Sequence, residues 1–270
     1  MKKIIYSDLD GTLLDYNERG SFVSDENISA ITKWTRNNFF GIASGRNILS
    51  IGKLFANTKI NFNLTFVLTN GALVYDFKKD KIIYQEPIAK DVIDEAIEYI
   101  RKKPIAILIL VAARSRYYVG KFSDENRPSF EVEEITKTEI NYNEILKIDF
   151  LVKAEYNEEL TNDIRKFRTI HLASIVPSSI RYVELVSNKV SKHTGILNAL
   201  KYADIKKYQL YSIGDYLNDY DMLLKSDLSF APNNASIEIK SIVNHVVNSN
   251  QKHAIAEMIS IVNQFELSKE

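Results

Sequence analysis

Two carboxylates, Asp8 and Asp10, stand one residue apart just after the apolar run 4–6, and Gly11 follows them. Carboxylates this close repel each other and any anionic substrate. A hard divalent cation relieves the repulsion, and Mg²⁺ favours few carboxylates completed by substrate phosphate. A carboxylate can also attack phosphorus and become an aspartyl-phosphate. Taken alone, Asp8-Leu9-Asp10-Gly11 has a solvated turn as its lesser alternative. Gly11 permits backbone angles that other residues avoid, so the chain can leave its strand here.

Other apolar runs also end at polar, chemically capable residues. The run 39–43 meets Ser44-Gly45-Arg46, and 66–68 meets Thr69-Asn70-Gly71. The run 209–213 meets Gly214-Asp215, and 230–231 meets Pro232-Asn233-Asn234. Such short runs suit strands covered on both faces of a parallel sheet. Ligands of open parallel sheets lie beyond the carboxyl ends of the strands, so these endings are expected in one crevice. Helical patterns lie between. Ser24 reads as an N-cap before Asp25 and Glu26, with Ile28, Ile31 and Trp34 on one face. Ile48, Ile51, Leu54 and Phe55 form a second stripe. Ile196, Leu197 and Leu200 form a third, and Ile255, Met258, Ile259, Val262 and Phe265 a fourth. The alternation predicts an α/β fold with a Rossmann-like parallel-sheet core.

The middle of the chain breaks this rhythm. A strand near 80 and a helix at 91–102 precede strands near 105–112 and 117–121. A strand near 148–153, a helix near 158–167 and strands near 171–176 and 182–185 follow. Consecutive strands predict antiparallel pairing, hence an inserted α+β unit. The expected division is 1–80 with 186–270 as the core and 81–185 as the insert. Within the insert, Arg114-Ser115-Arg116-Tyr117-Tyr118 reads as an ordinary strand edge in preference to a substrate contact.

The 270 residues carry 35 basic and 35 acidic side chains and no Cys. Balanced charge argues against a nucleic-acid binder, which is usually basic. Zero Cys excludes disulfide scaffolds, thiolate zinc sites and cysteine nucleophiles, and suits a cytoplasmic setting. The apolar stretch before Asp8 is too short for a signal peptide. The longest apolar run, 105–113, falls well short of the ~20 residues of a membrane helix. No membrane partner is expected. His171, His193, His245 and His253 offer no ligand pair by spacing and read as surface or packing residues.

Together these segments resemble the haloacid dehalogenase-like (HAD) phosphatase superfamily. Asp8 to Leu14 resembles its first motif, Ser44-Gly45-Arg46 its second, Lys192 in Val190-Ser191-Lys192 its third, and Gly214-Asp215-Tyr216-Leu217-Asn218-Asp219 its fourth. Asn70-Gly71-Ala72 and Ala231-Pro232-Asn233-Asn234-Ala235 are similar to segments of the Cof-type branch. The insert is similar to that branch's C2B cap.

The resemblance implies Asp8 as nucleophile and Asp10 as general acid/base. It implies metal ligation by Asp8, Asp215 and the Asp10 backbone carbonyl. Phosphate would be held by Ser44, the Gly45 and Leu9 amides, Lys192 and Asn218. Asp219 would support Mg²⁺ through water or serve structure. Ser44 has a competing role as a helix N-cap, Lys189 is the nearby rival of Lys192, and Arg46 could reach substrate or brace its loop. Two departures stand out. Tyr216 replaces the usual Asn, and Lys192 is followed by His193-Thr194-Gly195 where Lys-Gly is common. The implied function is Mg²⁺-dependent hydrolysis of a small phosphorylated metabolite through an aspartyl-phosphate. A phosphomutase with the same nucleophile and a non-catalytic phosphate-binding protein are the alternatives.

Overall fold

The computed structural model describes residues 1–18, 20–56, 60–120, 128 and 130–267. Five strands, all parallel, form the central sheet. Their order is His245–Val247, Leu228–Pro232, Tyr208–Ile213, Lys2–Ser7, Phe39–Ile42. Alternate residues of Lys2–Ser7 serve opposite faces. Ile4 and Tyr6 pack with Ile196, Ala199, Leu200 and Met222. Ile5 packs with Trp34, Phe40, Ile255 and Met258. Burial on both faces explains why the strands read as unbroken apolar runs.

Helix Asp25–Trp34 begins at Ser24, whose Oγ accepts the Asn27 amide (3.4 Å). Its buried side chains share one core with those of helix Ala254–Leu267. The stripe expected on helix Lys192–Tyr202 needs one correction. Ile196, Ala199 and Leu200 are buried, but Leu197 is 42% exposed. One residue on from Ile196 the helix has turned ~100°, which carries Leu197 off the core face.

Strand Phe66–Leu68 meets expectation only in part. It touches the central sheet through a single parallel bridge, Ala43 to Val67. Its main partner is antiparallel, Leu73–Asp76, which in turn pairs with Lys81–Gln85. The tight turn at Thr69–Gly71 reverses the chain directly, so the strand that follows pairs antiparallel.

The chain crosses to a second sheet at Glu86–Ile88, where the Glu86 amide bonds Ala72 O and the Ile88 amide bonds Ile145 O (2.9 Å each). That sheet has six strands, ordered Glu133–Ile135, Arg116–Val119, Ala106–Ala112, Ile145–Val152, Tyr182–Ser187, Ala173–Ser179. Helices Lys90–Lys102 and Asn157–Ile164 bury Val92, Ala96, Leu160 and Ile164 in the same core as Ile148, Phe150 and Leu185. Pairing is antiparallel as expected, except that Glu133–Ile135 runs parallel to Arg116–Val119. The connection between them has the dozen or so residues that a parallel crossover requires. Arg116–Val119 is thus an inner strand, which corrects its reading as an edge. Lys121, expected at the end of this strand, lies outside the described residues.

Candidate active site

The N-terminal strand is an inner one, flanked by Phe39–Ile42 on one side and Tyr208–Ile213 on the other. Ser7 is level with both Ile42 and Ile213. The residues that follow, Asp8, Ala43–Ser44 and Gly214–Asp215, therefore leave the sheet side by side at its carboxyl edge, where open α/β sheets hold ligands. The Asp8 amide bonds Ile213 O (3.0 Å), and the Ser44 amide bonds Val67 O (2.8 Å). Ser44 Oγ accepts the Arg46 amide (3.2 Å), so toward a phosphoryl oxygen its hydroxyl can act as donor. The cap of helix Ile48–Phe55 is Asn47, whose side chain accepts the Ser50 amide, and not Ser44.

After Asp8 the chain makes one wide turn, Leu9–Leu13, closed by the Leu14 amide on Leu9 O (2.9 Å). Gly11 sits there at φ +78°. A Cβ on it would stand 2.3 Å from Asp215 Oδ2. Glycine thus supplies both the left-handed backbone and the space that lets this turn approach Asp215. Thr12 Oγ1 donates to Asp215 Oδ1 (3.4 Å).

Lys192 opens helix Lys192–Tyr202. Ser191 Oγ accepts the Thr194 amide (3.2 Å), and Thr194 Oγ1 accepts the Ser191 amide (2.8 Å). Thr194 thus completes a reciprocal cap, which explains how the helix starts cleanly without Lys-Gly. Gly71 lets the helix dock, since a Cβ there would stand 1.9 Å from Ser191 O, and its φ is +100°. This docking buries the Lys192 side chain completely. Its Nζ lies 2.6 Å from Asp8 Oδ1 and 2.6 Å from Asp219 Oδ1. Lys189 points elsewhere, pairing with Glu86 and 73% exposed.

Asp219 Oδ2 accepts the amides of Asp215 (3.0 Å) and Tyr216 (3.3 Å). Both its oxygens are engaged in holding the loop and Lys192. Because this loop is held through the Tyr216 amide, a Tyr side chain in place of Asn leaves its hydrogen bonds intact. Asn218 Nδ2 donates to Asn70 Oδ1 (3.4 Å).

Burial pushes the Asp8 carboxyl well above its ordinary pKa; Lys192 opposes this, while Asp219, Asp215 and Asp10 add to it. Asp215 is pushed up to about 7, first by burial and then by Asp219. Lys192 is also buried, yet Asp219 and Asp8 hold its pKa above normal, so it stays a cation. One lysine does not offset this many carboxylates. A hard cation would. Among the described residues, Asp8, Asp215 and Asp219 are a group with ligand oxygens all within 4.8 Å of one another. Oxygen donors and crowded carboxylates fit a divalent ion such as Mg²⁺. Asp8 and Asp215 are the better-suited pair, since Asp219 is already spent on Lys192 and two amides.

Asp10 faces another way. Arg46 grips it with Nε to Oδ2 (2.7 Å) and an NH2 group to Oδ1 (2.6 Å), and Tyr16 OH donates to Oδ1 (2.8 Å). Burial raises its pKa, but the bonds and charge of Arg46 and the Tyr16 bond outweigh this, so the net shift is downward. Arg46 therefore braces the turn. Tyr16, from the short hairpin Asp15–Asn17 and Gly20–Phe22, was not expected in the site. A hydrogen bond from so local a hairpin leaves no periodic signal.

A cleft of about 1050 Å³ joins these groups to the second sheet. Asp8, Asp10, Ser44, Asp215 and Asn218 line one wall. Arg116, Lys147, Asp149, Ser178, Tyr182 and Glu184 line the other. Arg116 also bonds Asn47 Oδ1 (3.4 Å) and Ser50 Oγ, so it belongs to the cleft. Arg114 instead pairs with Asp80. The four histidines lie apart. His245 stacks on Phe230, His253 meets Ser24, His171 meets Arg168 O, and His193 is half-buried. No helix among the described residues is long and apolar enough to cross a membrane.

Residues 5–259 match the family described as haloacid dehalogenase-like hydrolase. The chain belongs to that family. It is 23% identical over 272 residues to the 5-amino-6-(5-phospho-D-ribitylamino)uracil phosphatase YbjI of Escherichia coli, covering 98% of this chain and 97% of the relative. It is 26% identical over 296 residues to phosphatase YwpJ of Bacillus subtilis, covering 95% and 98%. Among solved structures it resembles a HAD/COF-like hydrolase from Plasmodium vivax, with TM-score 0.82, 25% identity and coverage of 98% and 96%.

Proposed function

We propose that the protein is a Mg²⁺-dependent phosphatase that hydrolyses small phosphorylated metabolites, sugar phosphates or similar, through a phosphorylated Asp8. The observation that carries this reading is the buried Asp8–Lys192–Asp219 triad beside Asp215, at the carboxyl edge of a parallel sheet. The phosphatase names of whole-length relatives support it.

Asp8 Oδ attacks phosphorus while the ester P–O bond breaks, and Asp10 gives its proton to the departing alkoxide. Water then attacks phosphorus, Asp10 takes its proton, and the bond to Asp8 breaks to release phosphate. The ionised Asp10 held by Arg46 is the form that the second half needs. A phosphoryl group that draws Arg46 toward itself frees Asp10 to carry a proton in the first. Lys192, Ser44, Asn218 and the Leu9 and Gly45 amides hold the phosphoryl oxygens. Mg²⁺ between Asp8, Asp215 and the Asp10 carbonyl would neutralise charge on the phosphoryl group. The unit built on the second sheet acts as a cap that excludes water and selects substrate. Its side of the cleft is polar and charged, which suits a hydroxyl-rich compound.

The test is a phosphate-release screen over phosphorylated sugars, nucleotides, flavin and pyridoxal phosphates and the ribitylaminouracil phosphate for which the E. coli relative is named, with Mg²⁺ and Asp8→Asn as control. Release of inorganic phosphate supports hydrolysis. Isomerised sugar phosphate without release would indicate a mutase. Binding with no turnover of any compound would indicate a non-catalytic protein.

A further inference from the structure

Asn70 stands on unusual backbone. Thr69, Asn70 and Gly71 have φ of 53°, 55° and 100°. Three successive residues thus have positive φ, which Gly adopts freely and Asn tolerates but which is rare for a β-branched Thr. Neighbours hold them in place. The Thr69 amide bonds Arg46 O (3.0 Å), and the Asn70 amide bonds Ser44 O (3.1 Å). Strain kept this way is a pointer to what the conformation presents.

It presents the Asn70 carboxamide, buried between three elements. A Cβ on Gly45 would stand 3.1 Å from Asn70 Oδ1, and that oxygen accepts Asn218 Nδ2 (3.4 Å). On the other side Nδ2 donates to Glu184 Oε2 (2.6 Å). Glu184 belongs to strand Tyr182–Ser187 of the second sheet. Its Oε1 accepts Ser178 Oγ (2.8 Å), and Lys147 Nζ lies 3.1 Å from its Oε2. Lys147 in turn reaches Asp149 (2.9 Å) and donates to Gly45 O (3.3 Å). Two polar bridges therefore run from the second sheet to the Ser44–Arg46 loop, one through Asn70 and one through Lys147. Buried charged clusters add little net stability over apolar packing, whereas they can fix one register.

We propose that Glu184 and Asn70 are positioning residues that couple docking of the cap to the shape of the phosphoryl-binding loops. Glu184 sets Asn70, and Asn70 sets the Ser44–Gly45 loop on one side and Asn218 on the other. The coupling stands on these contacts alone; only its catalytic consequence rests on the phosphatase reading.

The hydrogen bond can be reversed. Asn70→Asp keeps the oxygen facing Asn218 and tolerates the left-handed backbone, but sets a carboxylate against Glu184. Adding Glu184→Gln restores one donor and one acceptor with their direction exchanged. Amide hydrogen exchange of residues 44–46 in the full chain is the readout, with turnover of p-nitrophenyl phosphate and Mg²⁺ in parallel. Asn70→Asp is expected to speed exchange by about tenfold, the scale of a lost charge-assisted hydrogen bond. The double variant is expected to return to within about twofold of wild type. Additive effects, or no effect of Asn70→Asp, would overturn the coupling. Should Asn70→Asp not fold, Glu184→Ala against Glu184→Gln decides. Faster exchange only in the Ala variant supports the coupling, and equal exchange in the two overturns it. If exchange behaves as expected while wild type turns over no ester, the coupling holds and the phosphatase reading fails.

Discussion

Lys192 Nζ and Asp219 Oδ1 lie 2.6 Å apart with both side chains fully buried, and the same ammonium lies equally close to Asp8. The lysine is the one counter-charge in direct contact with the Asp8 carboxylate among the ion pairs of the described residues. Lys192→Met therefore leaves two buried carboxylates unpaired. A loss of about 3–5 kcal/mol is expected in urea unfolding at neutral pH, the usual result of removing one partner of a buried pair. A loss below about 1 kcal/mol would contradict the pairing.

Gly71→Ala tests how Lys192 is placed. The added Cβ would overlap Ser191 O at a φ of +100°, so the start of helix Lys192–Tyr202 must move. Destabilisation of about 2–4 kcal/mol is expected, with turnover lost even below the unfolding temperature. A variant as stable and active as wild type would show that the close approach is not needed.

Metal binding should release protons. Asp215 without a cation is held up to about 7 by burial and Asp219, so at pH 6 it is mostly protonated. Mg²⁺ needs the carboxylate. Its apparent Kd is expected to rise by roughly five- to tenfold from pH 7 to 6. Calorimetric enthalpy should vary with the buffer's ionisation enthalpy, and Asp215→Asn should reduce both effects to the part that Asp8 contributes. Affinity independent of pH would count against Asp215 as ligand.

Asp149 gives the cleft its own pH dependence. Burial, opposed by Lys147 and aided by Glu184, pushes its carboxyl up to about 6. A raised acid binds its proton more tightly in the folded state, so its contribution is full below the unfolded value near 3.8 and is lost as pH rises through about 6. Asp149→Asn lacks this loss. Relative to wild type, the variant should be more stable at pH 8 than at pH 5, by about 1.4 kcal/mol. Parallel pH profiles of the two melting temperatures would contradict it.

Lys192 was singled out only by the resemblance of the ordered motifs, whereas Asp8 and Asp215 were legible because each stands just past a short apolar run. The central sheet was legible for the same reason, since strands covered on both faces leave an unbroken apolar record. Glu184, Lys147 and Arg116 were not. They alternate with core residues such as Leu185 and Ile148 on strands of the insert. Period-two alternation says that one face is polar, not that it faces a cleft. Asn70 was noted for its motif, but its role depends on a partner 114 positions away. The hairpin partner of Phe66–Leu68 was missed for a similar reason, because an apolar sequence cannot tell a parallel neighbour from a hairpin.

The central claim is that Asp8 becomes phosphorylated. Wild-type protein mixed with a substrate from the phosphate-release screen and Mg²⁺, quenched in acid within the first turnover and mapped by peptide mass spectrometry, is the direct measurement. A phosphoryl group on the peptide bearing Asp8, absent from Asp8→Asn together with phosphate release, is the expected result. Phosphate release that persists in Asp8→Asn, or a phosphoryl group carried on a different residue, would contradict it.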